Sequence, residues 1–439
     1  MSIADPSKRR RSDVLEHLLL VAGLLLMSGA VLPLFLGPPN AAWNPQGYPE
    51  VQSILLMFYA VVCLLIGRRW RSALKLASRD PLLWLLMGWV LLSAIWSDAG
   101  WLTGRRALAL VLTSGVGFYL ALRFETDDQL RLIAATLTVA ALLSVVAVVV
   151  WPDYGIDQEF WRGPAWRGVY TQKNTLSRQM ALLTACALAL ALGLRSSSRR
   201  WAAIAPLSAA FPFLTRSLTA LVVTVIMYGL LGLLFACNKL RGAQVDRWQL
   251  NRLVAVVGLT SVAWIGVWCL QQFPSAPGSA ETKSVTGAPA SESDQVPLLN
   301  RKGTVLARLE LWQLVTDKLS ERPWLGYGYG AFWLGDQGPS SYIWSRLDWK
   351  PPSAHNGFLD VALGIGAIGL ALMCVHLVKT AISVTRTFRE RGLTPSGVWP
   401  VLFLVFFILY SLPETSMLVQ NTLLWPVYVA VALSCAADD

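Results

Sequence analysis

His355 is the residue of this chain best suited to moving a proton. It stands in Ser353-Ala354-His355-Asn356-Gly357-Phe358-Leu359-Asp360, where the longest polar stretch gives way to an apolar run. An unperturbed imidazole titrates near neutrality and can accept the proton of a hydroxyl at physiological pH. A histidine that opens a helix can equally do no more than hydrogen-bond the following turn. The chain has three histidines. His376 follows His355 by 21 residues, about 31 Å of helix at 1.5 Å per residue, so it belongs to the other end of the same span. His17, at the inner edge of the first apolar run, is equally remote. With no histidine cluster, no metal site is signalled, and no cofactor is expected.

A second group of residues suits anion binding. Arg105, Arg106, Arg162, Arg167, Lys173, Arg178, Arg216 and Arg308 lie within or near the ends of apolar runs, on the same side as His355. Cations on the outer side run against the usual cytoplasmic bias of positive charge, so they call for a partner. Phosphate is one, because a guanidinium donates two parallel hydrogen bonds from a planar fork. Asp98, Asp153, Asp157, Glu159, Glu310 and lipid phosphates are the competing partners. Asp360, four residues after Asn356 and on its helix face, can orient Asn356, act as an alternative base, or pair with an arginine. Glu414, in Pro413-Glu414-Thr415, is a second spare carboxylate.

The elements that position these groups are membrane helices. The 439 residues are 55% hydrophobic and 14% charged, against about 25% charged in a soluble protein. Apolar runs near 15–36, 51–67, 81–97, 104–122, 130–151, 174–194, 202–215, 217–237, 253–271, 356–378, 398–413 and 419–436 approach the length that crosses a bilayer core of roughly 30 Å. Backbone groups in lipid must bond internally, so the runs are helices. The expectation is an all-α polytopic bundle of about 12 transmembrane helices, a single transmembrane domain over residues 1–439. The seventh run contains Pro206 and Pro212, which predict a break or a tilt. The net charge of +11 comes mostly from basic residues flanking the runs, not from a nucleic-acid patch. Lys8-Arg9-Arg10-Arg11, Arg68, Arg69, Arg71, Lys75 and Arg79 alternate with the runs, as do Arg195, Arg199, Arg200, Lys239, Arg241, Arg247, Arg252, Lys379, Arg386, Arg389 and Arg391. That alternation puts both termini in the cytoplasm. The first run is too long for a signal-peptide core and reads as an uncleaved helix. The six cysteines show neither metal-ligand spacing nor loop pairing.

One large periplasmic loop is expected at 272–355, inserted between the ninth and tenth helices. Its 273–297 part is rich in Pro, Ser, Ala and Gly and reads as flexible. An amphipathic helix is expected over about 304–321, from Val305, Leu309, Trp312, Val315 and Leu319 at steps of three or four. A tight turn follows at Gly326-Tyr327-Gly328-Tyr329-Gly330. Many of the 20 tryptophans lie near span ends, as interfacial belts require.

Several segments together resemble the O-antigen ligase and O-antigen polymerase superfamily, most closely its exopolysaccharide polymerase branch. They are Trp166-Arg167-Gly168-Val169-Tyr170-Thr171-Gln172-Lys173-Asn174, Thr215-Arg216-Ser217-Leu218-Thr219-Ala220-Leu221, Arg308-Leu309-Glu310-Leu311-Trp312, Arg322-Pro323-Trp324-Leu325-Gly326-Tyr327-Gly328, and His355 to Asp360 trailed by Gly364, Gly366 and Gly369. Gln172 departs from the pattern, where many relatives have histidine, and Asp360 stands where relatives often have glutamate. The resemblance implies a metal-independent inverting glycosyltransferase of the bacterial inner membrane, with its active site periplasmic. Its donor would be an undecaprenyl-pyrophosphate-linked glycan and its acceptor a glycan or lipid A-core. The family's essential residues would be Arg216, Arg308 and His355. Arg105, Arg106, Arg167, Lys173, Asn174, Asn356, Asp360 and Glu414 are the residues expected at the substrate. Polymerisation of a surface polysaccharide is the first reading. Ligation of finished glycan onto lipid A-core is the second, and transport of polysaccharide or lipid-linked oligosaccharide the third.

Overall fold

The computed structural model describes residues 6–31, 48–158, 163–193, 198–240, 247–272 and 305–436. The helices are α1 (Pro6–Ser28), α2 (Pro49–Gly67), α3 (Trp70–Ser78), α4 (Pro81–Leu92), α5 (Gly100–Arg123), α6 (Thr126–Val150) and the single turn α7 (Pro152–Gly155). After a two-stranded hairpin, β1 (Ile156–Asp157) and β2 (Ala165–Trp166), come α8 (Lys173–Ala191), α9 (Ser198–Leu214), α10 (Leu218–Leu240) and α11 (Arg247–Gln272). The remainder are α12 (Val305–Glu321), α13 (Ser341–Trp344), α14 (Gly357–Arg391), α15 (Pro395–Ser411) and α16 (Leu424–Cys435). Each of the twelve apolar runs overlaps one of these helices. Five of them (α2, α5, α6, α10 and α14) are long and apolar enough to cross a membrane. The protein is an all-α polytopic membrane bundle. Its 273–297 stretch, read above as flexible, lies outside the described residues, as does Arg162.

Burial sorts the helices into a centre and a rim. From Gln179 to Leu192, α8 is buried throughout, and Leu424 to Leu433 of α16 are buried as well. These two and α15 form the centre. Close approach requires glycine where α5 meets α16, since a Cβ on Gly117 would lie 2.1 Å from the Pro426 carbonyl oxygen. Trp425 Nε1 then donates to Ser114 Oγ at 2.8 Å. The rim helices turn Leu56, Leu64, Leu142, Val149, Leu233 and Val262 outward. A soluble protein would not leave so many large apolar side chains exposed; in a bilayer they face hydrocarbon. Pro206 and Pro212 sit inside one continuous helix, α9, so of the expected break or tilt the break is absent there.

The main departure from the sequence reading is α14. Thirty-five residues of helix would span about 52 Å at 1.5 Å per residue, far more than a bilayer core. The element is broken at Gly366, whose φ 71° and ψ −176° are non-helical. The turn after α12 fills the break. Ala367 N donates to Pro323 O at 2.8 Å, Ile368 N to Trp324 O at 3.4 Å, and Tyr327 N to Leu363 O at 2.8 Å. The loop thereby supplies the bonds that the interrupted helix loses. Leu311, Val315, Tyr327, Phe332, Ile343, Leu347, Ala354 and Leu363 form a separate small core that glues α12, the turn and the first half of α14 together.

The expected apolar stripe of α12 needs one correction. Leu309 is 46% exposed, whereas Leu311 and Val315 are fully buried. The face that packs runs through 308, 311, 312, 315 and 319, at helical steps of three and four. It therefore carries Arg308 inward together with the apolar residues.

At the opposite end of the bundle, Asp80 caps α4 and accepts from Lys379 Nζ at 2.7 Å. It also contacts His376 Nε2 at 3.0 Å, whose Nδ1 lies 2.6 Å from the Tyr428 hydroxyl. This buried cluster ties α4, α14 and α16 together, far from His355.

Candidate active site

Glu414, on the loop after α15, joins two of the three residues expected to be essential. Its Oε1 accepts from Arg308 Nη2 at 3.2 Å, and its Oε2 lies 3.3 Å from His355 Nδ1. All three side chains are about one-fifth exposed, at the mouth of the bundle beneath α12 and the turn. Burial raises the proton affinity of Glu414. The hydrogen bond and charge of His355, followed by the charges of Arg308 and Arg178, outweigh it and hold the carboxyl below its usual range. Glu414 is therefore ionised at neutral pH. A carboxylate only accepts hydrogen bonds, so Nδ1 of His355 carries a proton toward Glu414; in the neutral form of the ring Nε2 then presents its lone pair. Since Glu414 titrates low, this linkage is intact above the usual carboxylate pKa and is lost only as acid protonates the group. Glu414→Gln is expected to lower turnover about 10-fold to 100-fold by releasing the imidazole's orientation; steady-state kinetics of the folded variant check it.

The backbone around these residues is strained. Among the described residues, only Arg216, His355, Leu418 and Asn421 combine a non-glycine side chain with positive φ, at 51°, 46°, 50° and 61°. His355 and Arg216 are two of the expected catalytic residues, and Leu418 and Asn421 belong to the loop that carries Glu414. Each such residue costs on the order of 1–3 kcal/mol and survives only where its surroundings hold it. Here the holding contacts are visible. His355 N donates to Ser353 Oγ at 3.3 Å, Trp312 Nε1 donates to Ala354 O at 2.8 Å, and Trp349 lies beside the imidazole with ring centroids 5.7 Å apart. Asn421 N donates to Thr113 Oγ1 at 3.0 Å, and Tyr59 donates to Asn421 Oδ1 at 2.8 Å.

Arg216 is carried by the turn between α9 and α10. Its Nε donates to Pro164 O at 3.0 Å, across from the hairpin loop. The turn that bears it is fastened to α8 by Thr215 Oγ1 donating to Ser177 Oγ at 2.9 Å. Arg178, the next residue on α8, acts on Glu414 through its charge, and its Nε is buried without a hydrogen-bond partner. Sequence reasoning flagged Arg178 as an outer cation but did not place it at the site; the signal was a charge just inside an apolar run.

The other expected substrate residues have these places. Asn356 caps α14, accepting from Phe358 N at 3.0 Å and Leu359 N at 3.2 Å. Asp360 accepts from Trp333 Nε1 at 2.7 Å, from Ala354 N at 3.0 Å and from the Thr415 hydroxyl. It thus fastens both sides of His355 and the Glu414 loop, rather than pairing with Asn356 or an arginine. Arg167 is buried and donates through Nε and Nη2 to Tyr154 O at 3.0 and 2.6 Å. Its guanidinium is committed to its own loop. Arg106 grips the Gly330 carbonyl of the turn. With Tyr329, Trp333, Ser353, Asp360, Thr415 and Gln420 it lines a cavity of about 410 Å³ behind the His355 segment. Arg105 is exposed near the start of α5, and Lys173 and Asn174 open α8, with Asn174 exposed.

The arrangement places an arginine, a carboxylate and an imidazole side by side at one rim of the bundle. Residues 203–374 match the family model described as O-Antigen ligase, a segment holding Arg216, Arg308 and His355 but neither Arg178 nor Glu414. A 75-residue stretch is 37% identical to "Putative polysaccharide ligase RP358" of Rickettsia prowazekii (strain Madrid E). That stretch is 16% of this chain and 18% of the relative, so the chain aligns with less than a fifth of that protein's length. Both likenesses are to proteins described as O-antigen or polysaccharide ligases.

Proposed function

We propose that this protein is a membrane glycosyltransferase that takes glycan from undecaprenyl pyrophosphate and extends a surface polysaccharide at the periplasmic face. The observation that carries the reading is the shared carboxylate. Glu414 fixes Arg308 and His355 side by side within a strained segment, at the end of the bundle where a lipid-borne diphosphate can reach them. In the reaction, an acceptor sugar hydroxyl attacks the anomeric carbon. The bond from that carbon to the diphosphate oxygen breaks, the hydroxyl proton passes to His355 Nε2, and the departing diphosphate keeps the electron pair. Arg308 and Arg216 stabilise its growing charge, the larger part of the rate effect. His355 contributes as general base. The diphosphate is already a good leaving group, so these residues suffice without a metal. Attack from the face opposite the diphosphate inverts the anomeric centre.

The family description and the relative's printed name favour a second reading, in which the acceptor is lipid A-core and the glycan moves once. Reconstituting the purified protein with a lipid-linked repeat unit separates the two. Polymerisation gives a ladder of products without lipid A-core. Ligation gives a single transfer that needs lipid A-core. No transfer to either acceptor, with movement of the lipid across liposomes, would overturn both in favour of transport.

A further inference from the structure

Arg178 is the unexplained charge of this bundle. It lies five residues into α8, about 7.5 Å below the rim. Its Nε is buried with no partner, and so is the hydroxyl of Tyr410, a residue 2% exposed on α15. Buried polar groups are nearly always bonded, so unbonded ones call for a missing partner. The two belong to one neighbourhood. The helix α15 packs on α8, and Glu414 N donates back to Tyr410 O at 3.2 Å. Arg178 also contributes to the depressed proton affinity of Glu414. On its other side, Ser177 is bonded to Thr215, the neighbour of Arg216. Arg178 thus adjoins the attachment of the turn that bears Arg216 on one side and acts on Glu414 of the Arg308–Glu414–His355 row on the other.

We infer that Arg178 and Tyr410 form a phosphoryl-binding subsite that links Arg216 to that row, so that one phosphoryl group of the donor lies at Arg178 and the other at Arg308. This rests on the reading of the donor as a lipid-linked diphosphate. The chemistry fits the vacant donors. A guanidinium and a phenol both donate to an anionic oxygen, and a guanidinium held in an apolar helix loses little to competing water. The site gives one ligand a path along Arg216, Arg178 and Arg308: the diphosphate spans them.

Binding to the detergent-solubilised full chain tests this directly, with undecaprenyl pyrophosphate, undecaprenyl monophosphate and inorganic pyrophosphate as probes. Arg178→Gln is expected to weaken undecaprenyl pyrophosphate at least 10-fold, and to change monophosphate about twofold or less. Tyr410→Phe, which removes only an unbonded hydroxyl, is expected to weaken the diphosphate about threefold to 10-fold with no loss of thermal stability. In turnover, both raise the donor KM more than they lower kcat, and Arg178→Lys recovers part of the affinity. The inference is overturned if Tyr410→Phe, or a folded Arg178→Gln, binds the diphosphate as the unaltered chain does while Arg308→Ala loses it; the proposed function survives that result. If Arg308→Ala also binds normally, the diphosphate reading itself fails and the subsite falls with it. A loss of monophosphate equal to that of diphosphate would likewise reject a subsite for one phosphoryl group.

Discussion

His355→Asn is expected to reduce product formation by a factor of at least about 10², while leaving the chain folded and no less stable than before. The loss follows from the general base, whose removal typically costs 10²–10⁴-fold. Retention of the fold follows from the backbone. His355 holds φ at 46°, and asparagine tolerates that left-handed conformation without a Cβ-branched penalty, bonding its own backbone nearby. The imidazole's bond to Glu414 is lost, yet Glu414 keeps Arg308 at 3.2 Å. Thermal unfolding in detergent and transfer kinetics on the same preparation check both halves. Near-normal transfer by a folded His355→Asn chain would remove His355 from the chemistry. Collapse of the fold would mean that the segment needs the imidazole structurally.

Gly366→Ala should be the most damaging single methyl group in the protein. The φ and ψ of Gly366 lie in a region that only glycine enters at low cost. A Cβ there would sit 2.0 Å from Trp324 O and 2.5 Å from Leu325 N, both backbone atoms that cannot swing aside. The substitution must expel the Pro323–Tyr327 turn from the helix break, which strips Ala367 N and Ile368 N of their acceptors. A destabilisation on the order of 3–5 kcal/mol is expected from strain and lost bonds together. Gly88→Ala is the matched control. It lies within α4 with no atom near its would-be Cβ, and replacing a helical glycine by alanine gains up to about 1 kcal/mol. Yield of folded protein and melting temperature distinguish the two. Equal behaviour would show that the break carries no structural weight.

These features were not equally legible in the sequence. Helices announce themselves by the length of apolar runs, and His355 and Arg308 by side-chain types that an apolar context makes conspicuous. The break at Gly366 was hidden, because Gly364, Gly366 and Gly369 sit among helix-compatible residues and the bonds that replace the lost ones come from residues 36 to 44 positions earlier. Glu414 was visible as a spare carboxylate, but its partners are 59 and 106 positions away, and no spacing rule reaches that far. Arg167 and Asn356 looked like ligand residues by motif. In the fold, one is drawn to the Tyr154 carbonyl and the other to the open N–H groups of its own helix, local demands that claim such side chains first. Leu309 was assigned to the packed face of α12 by periodicity alone; the small core takes Leu311 and Val315 instead, and that face carries Arg308 with it.

The interrupted helix also bears on the order in which the chain is made. Residues 323–327 leave the ribosome before residues 357–391, so the plug precedes the socket. Until that turn docks, Ala367 N and Ile368 N stand without acceptors, so α14 cannot complete its own backbone bonding and must close around a segment made before it.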